Sequence, residues 1–223
     1  MGPKGTTGDG PDCHPTATRP PTTATAGCAP GTPGGAPTRA AARHRLRAVI
    51  ATARLRLRAW KLDDVGALHA IHSRDDIVRW LYWDVQDEDE VHASLEAYIA
   101  IPPESGVVLA IERDGELIGR ANLAIGEHRQ GELGFIVHPD HQGQGYATEA
   151  AEAMLELAFE TYDLHRVAGS VEPRNLASVR VLERLGMRKE AHLIENEWVK
   201  GEWSSEAIYA ILAREWREAR GAR

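Results

Sequence analysis

Two periodicities alternate along this chain and predict its elements in order. Arg54-Leu55-Arg56-Leu57-Arg58 alternates arginine and leucine with period two, the pattern of a half-buried strand. Val65, Leu68 and Ile71 then recur at helical spacing behind Asp63 and Asp64, either of which suits an N-cap. Asp87 suits the cap of a second helix with Val91, Leu95, Tyr98 and Ile99 on one face, ended by Pro102-Pro103. Val107 to Ile111 and Leu117 to Ile125 flank Asp114-Gly115, a hairpin with its turn dipeptide in place. A strand from about Gly131 to His138 leads into a glycine-bearing turn. Thr148 to Thr161 follows as a helix that turns Ala151, Met154, Leu155 and Ala158 inward. Arg166 to Val171 is a strand, and Asn175 to Leu185 is a short helix that Gly186 terminates. A long hairpin closes the chain, Lys189 to Val199 and Trp203 to Leu212, turning at Lys200-Gly201. No internal repeat is evident. The order β-α-α-β-β-β-α-β-α-β-β predicts a mixed sheet flanked by helices, an α/β (α+β) domain.

Composition divides the 223 residues unevenly. From Gly2 to Arg45 there is no Val, Ile, Leu, Met, Phe, Tyr or Trp, and eight of the twelve prolines lie there. Such a stretch buries too little apolar surface to offset the entropy of ordering. Residues 1–47 are therefore expected as a disordered Pro/Gly/Thr/Ala-rich tail, residues 48–218 as the domain, and residues 219–223 as a short C-terminal tail. The first stretch lacks the apolar core of a signal peptide, and a start codon assigned too far upstream explains it equally. Cys13 and Cys28 both fall in it, which leaves the domain without a disulfide or a thiol nucleophile and agrees with a cytoplasmic location. No apolar run approaches the length of a membrane span. The tail carries Lys4, Arg19, Arg39, Arg43, Arg45 and Arg47 against Asp9 and Asp12, so a chain of net charge −7 less a tail of +4 leaves −11 for the rest. That balance repels nucleic acid and suits a cationic partner such as an amine, or serves solubility alone.

The chemistry concentrates in His138-Pro139-Asp140-His141-Gln142-Gly143-Gln144-Gly145-Tyr146-Ala147. A strand feeds this turn and a helix leaves it, so unpaired N–H groups and the positive end of the helix dipole meet there. Gly143 and Gly145 lack a Cβ and let an anion approach the backbone. Gln142 to Ala147 fits Q/R-x-x-G-x-G/A, the pyrophosphate cradle of coenzyme A in GNAT N-acetyltransferases. Over residues 50–215 the element order resembles that superfamily. Within it the chain is most similar to the RimJ/RimL type of ribosomal-protein N-terminal acetyltransferase, through Arg54 to Arg58 with Asp63-Asp64, Gly131 to Pro139, Glu172 to Ser178 with Leu185-Gly186-Met187, and Glu197 to Trp203.

The resemblance implies the acyl-CoA N-acyltransferase fold, with a mixed seven-stranded sheet and four helices, and direct attack of a primary amine on acetyl-CoA in a ternary complex. It places the cradle at Gln142, Gly143, Gln144, Gly145, Tyr146 and Ala147. Pantetheine contacts fall to the backbone of Phe135, Ile136 and Val137, with Ile136 or Val137 as oxyanion donor, and to Asn175. Glu132 is the implied base and Ser178 the implied proton donor to the thiolate; Asn175 equally suits an N-cap. The tyrosine acid of many relatives is replaced by Leu182, and a glutamate used by some by Ser170. Trp80, Tyr82 and Trp83 border the acceptor side, as substrate clamps or as loop anchors. No metal is expected, and His138 and His141 read as surface histidines. The acidic run from Asp84 to Glu90 reads as a solvated helix start. A protein or peptide N-terminal α-amine is the leading acceptor. A small amine (aminoglycoside, polyamine or amino acid) and a non-catalytic acyl-CoA-binding module are the alternatives. Monomer and homodimer both remain open, with Trp198, Trp203 and Trp216 suited either to an interface or to their own sheet.

Overall fold

The computed structural model describes residues 49–221. The expected tail over residues 1–47, with both cysteines, lies outside the described residues.

Eight strands form one sheet: β1 (Ile50–Ala51), β2 (Arg56–Arg58), β3 (Gly106–Arg113), β4 (Glu116–Ile125), β5 (Gln130–Val137), β6 (Arg166–Val171), β7 (Arg188–Val199) and β8 (Glu202–Leu212). Their order is β1-β2-β3-β4-β5-β6-β8-β7, antiparallel throughout except between β5 and β6. Six helices accompany them among the described residues: α1 (Val65–His72), α2 (Asp75–Val78), α3 (Glu88–Ala100), α4 (Tyr146–Glu156), α5 (Leu176–Arg184) and α6 (Ala213–Gly221). The expected mixed α/β architecture is present, with one more strand and two more helices than anticipated. The extra strand β1 and the helix α2 span only two and four residues, too short to display a period. Helix α6 starts directly where β8 stops, without a polar break in the sequence.

Local chemistry sets most boundaries. Asp87 accepts a hydrogen bond from the Glu90 amide (2.9 Å) and Glu90 returns one from the Asp87 amide (3.0 Å), a reciprocal cap for α3. Val91 and Leu95 of α3 are buried, but Ile99 turns to solvent, contrary to expectation. Asp64 precedes α1 without capping it. Its carboxylate is taken by Arg58 (2.7 and 2.9 Å), which also reaches Glu112 (2.6 Å) and so ties β2 to β3 and to the start of α1. Both hairpin turns place two residues at positive φ, Asp114-Gly115 and Lys200-Gly201, which matches the twist of the strands they join. Helix α4 closes at Glu156, five residues sooner than the expected end at Thr161, and continues as a wider π turn over Leu157–Thr161. At the end of α5, Gly186 N–H donates to Glu183 O (3.0 Å) and Met187 N–H to Leu182 O (3.1 Å), the paired bonds that close a helix at glycine.

The sheet has a core on each side. Leu57, Ile111, Leu123, Leu133 and Val167 pack with Met154 and Leu155 of α4, Leu182 of α5 and Trp216 of α6. On the opposite side of β3 to β5 lie α1, α2 and α3, where Leu68, Val91 and Leu95 meet Val108 and Ala110, and Ile71 and Ile77 meet Ile136. Each such fully buried leucine or isoleucine contributes on the order of 1.5–3 kcal/mol. Trp216 is buried against Phe159 (ring centroids 5.3 Å), whereas Trp198 and Trp203 are exposed and stack edge-on upon each other (5.4 Å). No helix among the described residues is long and apolar enough to cross a membrane.

Candidate active site

The parallel pair β5–β6 is short. Gln130, Gly131 and Glu132 align with Arg166, Val167 and Ala168, and beyond Glu132 the two strands part. A cleft of about 680 Å³ opens at the parting, between the β4–β5 side of the sheet and α5.

Register decides which main-chain groups face that opening. Gly126 N–H donates to Gln130 O (2.9 Å) and His138 N–H to Ile118 O (2.7 Å), so the even-numbered residues of β5 spend their amides and carbonyls on β4. The odd-numbered residues turn theirs the other way, as Arg129 does in accepting from His165 N–H (2.7 Å). Phe135 and Val137 therefore present main-chain groups to the cleft, and Ile136 does not. The Ile136 side chain is buried beneath α2. Val137 O accepts from Gln142 Nε2 (2.8 Å), which leaves its N–H as the forward-facing donor.

The turn after β5 is built for an anion. Gly143 and Gly145 adopt φ of +74° and +84°, and Gly145 is the N-cap of α4. A glycine cap has no side chain to offer the first-turn amides, which point outward unclaimed by it. Gln142 braces the turn through Val137. Gln144 faces away, with its carbonyl accepting from Arg54 Nη1 (2.9 Å) and its amide reaching Asp140 O (3.3 Å). Tyr146 contributes its backbone position only, since its ring is buried and covered by Arg54 (4.6 Å) and Arg113 (5.1 Å). Ala147 lines the cleft one residue further on. His138 and His141 are not surface histidines: their side chains are 18% and 15% exposed, and His141 also lines the cleft. The His138 ring folds back to accept from the Asp140 amide (3.3 Å).

The opposite wall is the start of α5. Asn175 accepts from Ser178 N–H (3.2 Å) and so caps the helix while both residues line the cleft. Glu172 secures the approach. Burial works against its charge, but Arg174, the Ser204 hydroxyl (2.6 Å) and the Arg174 amide hold its carboxyl down to about 2. Leu182 is 2% exposed and belongs to the core.

Trp80, Tyr82, Trp83 and Glu132 line the third side. Trp83 stacks on the buried His72 ring (4.5 Å), whose Nδ1 meets Gln86 Oε1 (2.7 Å), so the loop is anchored from beneath. At the tip of the terminal hairpin, Lys200 Nζ donates to Val78 O (2.7 Å) and lies 3.5 Å from Asp84, part of the acidic run. Partial burial and the nearby carboxylates of Glu197, Glu206 and Glu132 push the Tyr82 phenol above its ordinary range.

Three functional candidates escape sequence reasoning. Ser170 hydrogen-bonds Glu206 of β8, which restores a carboxylate where the sequence shows only serine. Arg180 and Arg184 of α5 line the cleft and add positive charge near the turn. Alternation along β8 marks Glu206 as one face of a strand, but only the β6–β8 pairing brings it to Ser170. A second groove of about 800 Å³ lies between residues 50–53, α4 and α6 and holds none of the expected site residues. Four of its five glutamates, Glu149, Glu156, Glu160 and Glu215, are bound to Arg54, Arg220, Arg217 and Arg188, and Glu152 is the fifth.

Comparison with known proteins agrees with this geometry. Residues 54–188 match the acetyltransferase (GNAT) domain family, and the chain belongs to that family of N-acetyltransferases. An uncharacterized N-acetyltransferase of Bacillus subtilis, YnaD, is 32% identical over 169 residues, covering 75% of this chain and 98% of the relative. Spermidine N-acetyltransferase from Vibrio cholerae, solved with CoA and spermine, superposes with a TM-score of 0.67 at 25% identity, over 74% of this chain and 99% of that one. RimL, the ribosomal L7/L12 alpha-N-protein acetyltransferase, solved with CoA, superposes with a TM-score of 0.69 at 21% identity over 74% and 98%, a likeness of fold.

Proposed function

We propose that this N-acetyltransferase takes its acetyl group from acetyl-CoA and delivers it to a primary amine by direct attack within the cleft. The observation that carries the reading is convergence. An uncapped helix start, open main-chain groups on β5, Asn175 and Ser178 on one wall and Glu132 on another line one space. Acetyl-CoA supplies the thioester. The amides of α4, with Arg180 and Arg184, suit its phosphates, and the main chain of Phe135 and Val137 suits its extended arm. As the amine nitrogen bonds to the acetyl carbon and the C–S bond breaks, Glu132 takes the amine proton, directly or through a water. Val137 N–H steadies the oxyanion, a contribution of a few kcal/mol for a well-aimed donor. Ser178 returns a proton to the thiolate.

The α-amine of a protein or peptide N-terminus, as in the RimJ/RimL type, is the acceptor this apparatus serves most readily. An α-amine with pKa near 8 is about one-tenth neutral at pH 7, so one carboxylate suffices, whereas lysine near 10.4 must give up about 4–5 kcal/mol. A second reading, a small polycationic amine, draws on the carboxylates around Tyr82 and on the Vibrio relative solved with spermine. The cleft chemistry calls for no metal, and the cysteine distribution supports a cytoplasmic setting. The deciding measurement is release of CoA thiol against N-terminal peptides, polyamines and aminoglycosides. Turnover confined to peptides upholds the first reading. Turnover confined to polyamines selects the second, and acetyl-CoA binding without turnover marks a non-catalytic module.

A further inference from the structure

In the same cleft, Arg120 of β4 is a cation without a carboxylate partner among the described residues. It lies opposite Ile136 in the β4–β5 register, while Asn122 lies opposite Gly134 and Ala124 opposite Glu132. Residues directly opposite each other in an antiparallel pair share a face, so Arg120, Asn122 and Glu132 stand on one side of the sheet. Arg120 and Asn122 both line the cleft. Of the five guanidinium donors, one is engaged: Nη1 donates to Asn122 Oδ1 (2.9 Å). Nε is buried and has no partner. No carboxylate pairs with Arg120 among the described residues, whereas Arg54, Arg58, Arg74 and Arg174 each hold one. Tyr98 covers one side of the group at 5.5 Å, the buried His72 lies near it, and Glu132 is the carboxylate on the same face of the sheet.

A buried donor with no acceptor costs about 1–3 kcal/mol, more when it is charged, and a guanidinium repays that cost best against a planar two-oxygen anion. We infer that Arg120 and Asn122 form an anionic subsite of the acceptor cleft, which receives a carboxylate carried by the amine substrate. Gly134 gives Asn122 its place, because a Cβ there would lie 2.6 Å from Asn122 Oδ1. The spacing restricts the acceptor further. Glu132 and the residue opposite Arg120 are four positions apart on β5, about 13 Å at strand rise. The Arg120 side chain leans toward Asn122 and shortens that span. Amine and carboxylate are thus several bonds apart, as in a short peptide or an ω-amino acid, and not on a single carbon. The inference rests on the acetyl-transfer reading and narrows its acceptor to a zwitterion.

The test compares matched acceptors differing only in the carboxylate: dipeptides with free against amidated C-termini, and 6-aminohexanoate against hexylamine. CoA thiol release is followed with the full-length enzyme and with Arg120→Met. The wild type is expected to favour the free acids at least tenfold in kcat/KM, chiefly through KM, and Arg120→Met to bring the ratio toward one. A preference for dipeptide acids alone assigns the carboxylate to peptides, and one for 6-aminohexanoate alone assigns it to ω-amino acids. Equal or better turnover of the amides and of hexylamine by the wild type overturns the inference without any variant. So does a ratio unchanged in a folded Arg120→Met, which leaves a structural guanidinium only. No thiol release from any amine, with acetyl-CoA still bound, would instead strike the underlying reading.

Discussion

A single substitution at Glu132 tests the proposed base while preserving shape. Glu132→Gln is expected to lower kcat/KM for the best acceptor by about 10²-fold or more, within the range of general acid–base effects. The affinity for acetyl-CoA, read by calorimetry, should hold. If Glu132→Gln turns over normally and Glu206→Gln does not, the base is the carboxylate on β8 beside Ser170. Gly145 tests the other end of the site. Its φ of +84° is one an L side chain enters at a cost of roughly 1–2 kcal/mol. Gly145→Ala should therefore weaken acetyl-CoA binding by about tenfold and leave acceptor KM unaltered. The Gly143/Gly145 turn was legible in the sequence from its motif, while Glu132 and Ser178 came forward only through the resemblance to a family, and all of them line the cleft. Glu206 was not, since it meets Ser170 only through a pairing that spans 36 residues.

Among the elements, the loop that leaves α1 carries its own acid sensitivity. Burial, with Arg120 and His69 nearby, depresses the His72 imidazole to about 4, although the bond to Gln86 opposes this. The unfolded chain protonates the same group near 6.5, so between those values it binds more protons than the fold does. The stability contributed by neutral His72 is full above pH 6.5, declines as the pH falls, and is gone near pH 4. The loss amounts to about 3 kcal/mol. Urea unfolding at pH 7.5 and pH 5 should show this decline in the wild type, and His72→Asn should reduce it. A buried histidine supporting Trp83 could not be read from periodicity. Its position shows merely as the polar end of a helix whose other inward residues are Leu68 and Ile71. Hairpins and caps were readable because Asp114-Gly115, Lys200-Gly201 and Asp87 act on their immediate neighbours.

At the scale of the molecule, one sheet joins a half that supports α1, α2 and α3 to a half that supports α5 and the terminal hairpin. A chain shortened to residues 48–223 is expected to unfold within about 2 °C of the full chain and to acetylate the same acceptors. Scanning calorimetry and thiol release check this, and a lost activity would assign the first 47 residues a part in the site. The order of elements allowed the mixed sheet to be anticipated. The parting of β5 from β6 has no mark in these residues beyond likeness to relatives, because it is a pairing that does not form.

The two-residue repeat of β5 turns that parting into a division of labour. On the proposed reading, odd positions address the acyl donor with backbone, which every amino acid possesses, while the even positions turn to the acceptor's face, where Glu132 supplies a side chain and Gly134 makes room for Asn122. On that reading, substitutions at 132, and at 120 and 122 on the same face, are expected to retune which amine is accepted while the hold on the acyl carrier stays as it is. One strand thus works as a ruler graduated on both edges, with one edge common to any acceptor and the other open to rewriting.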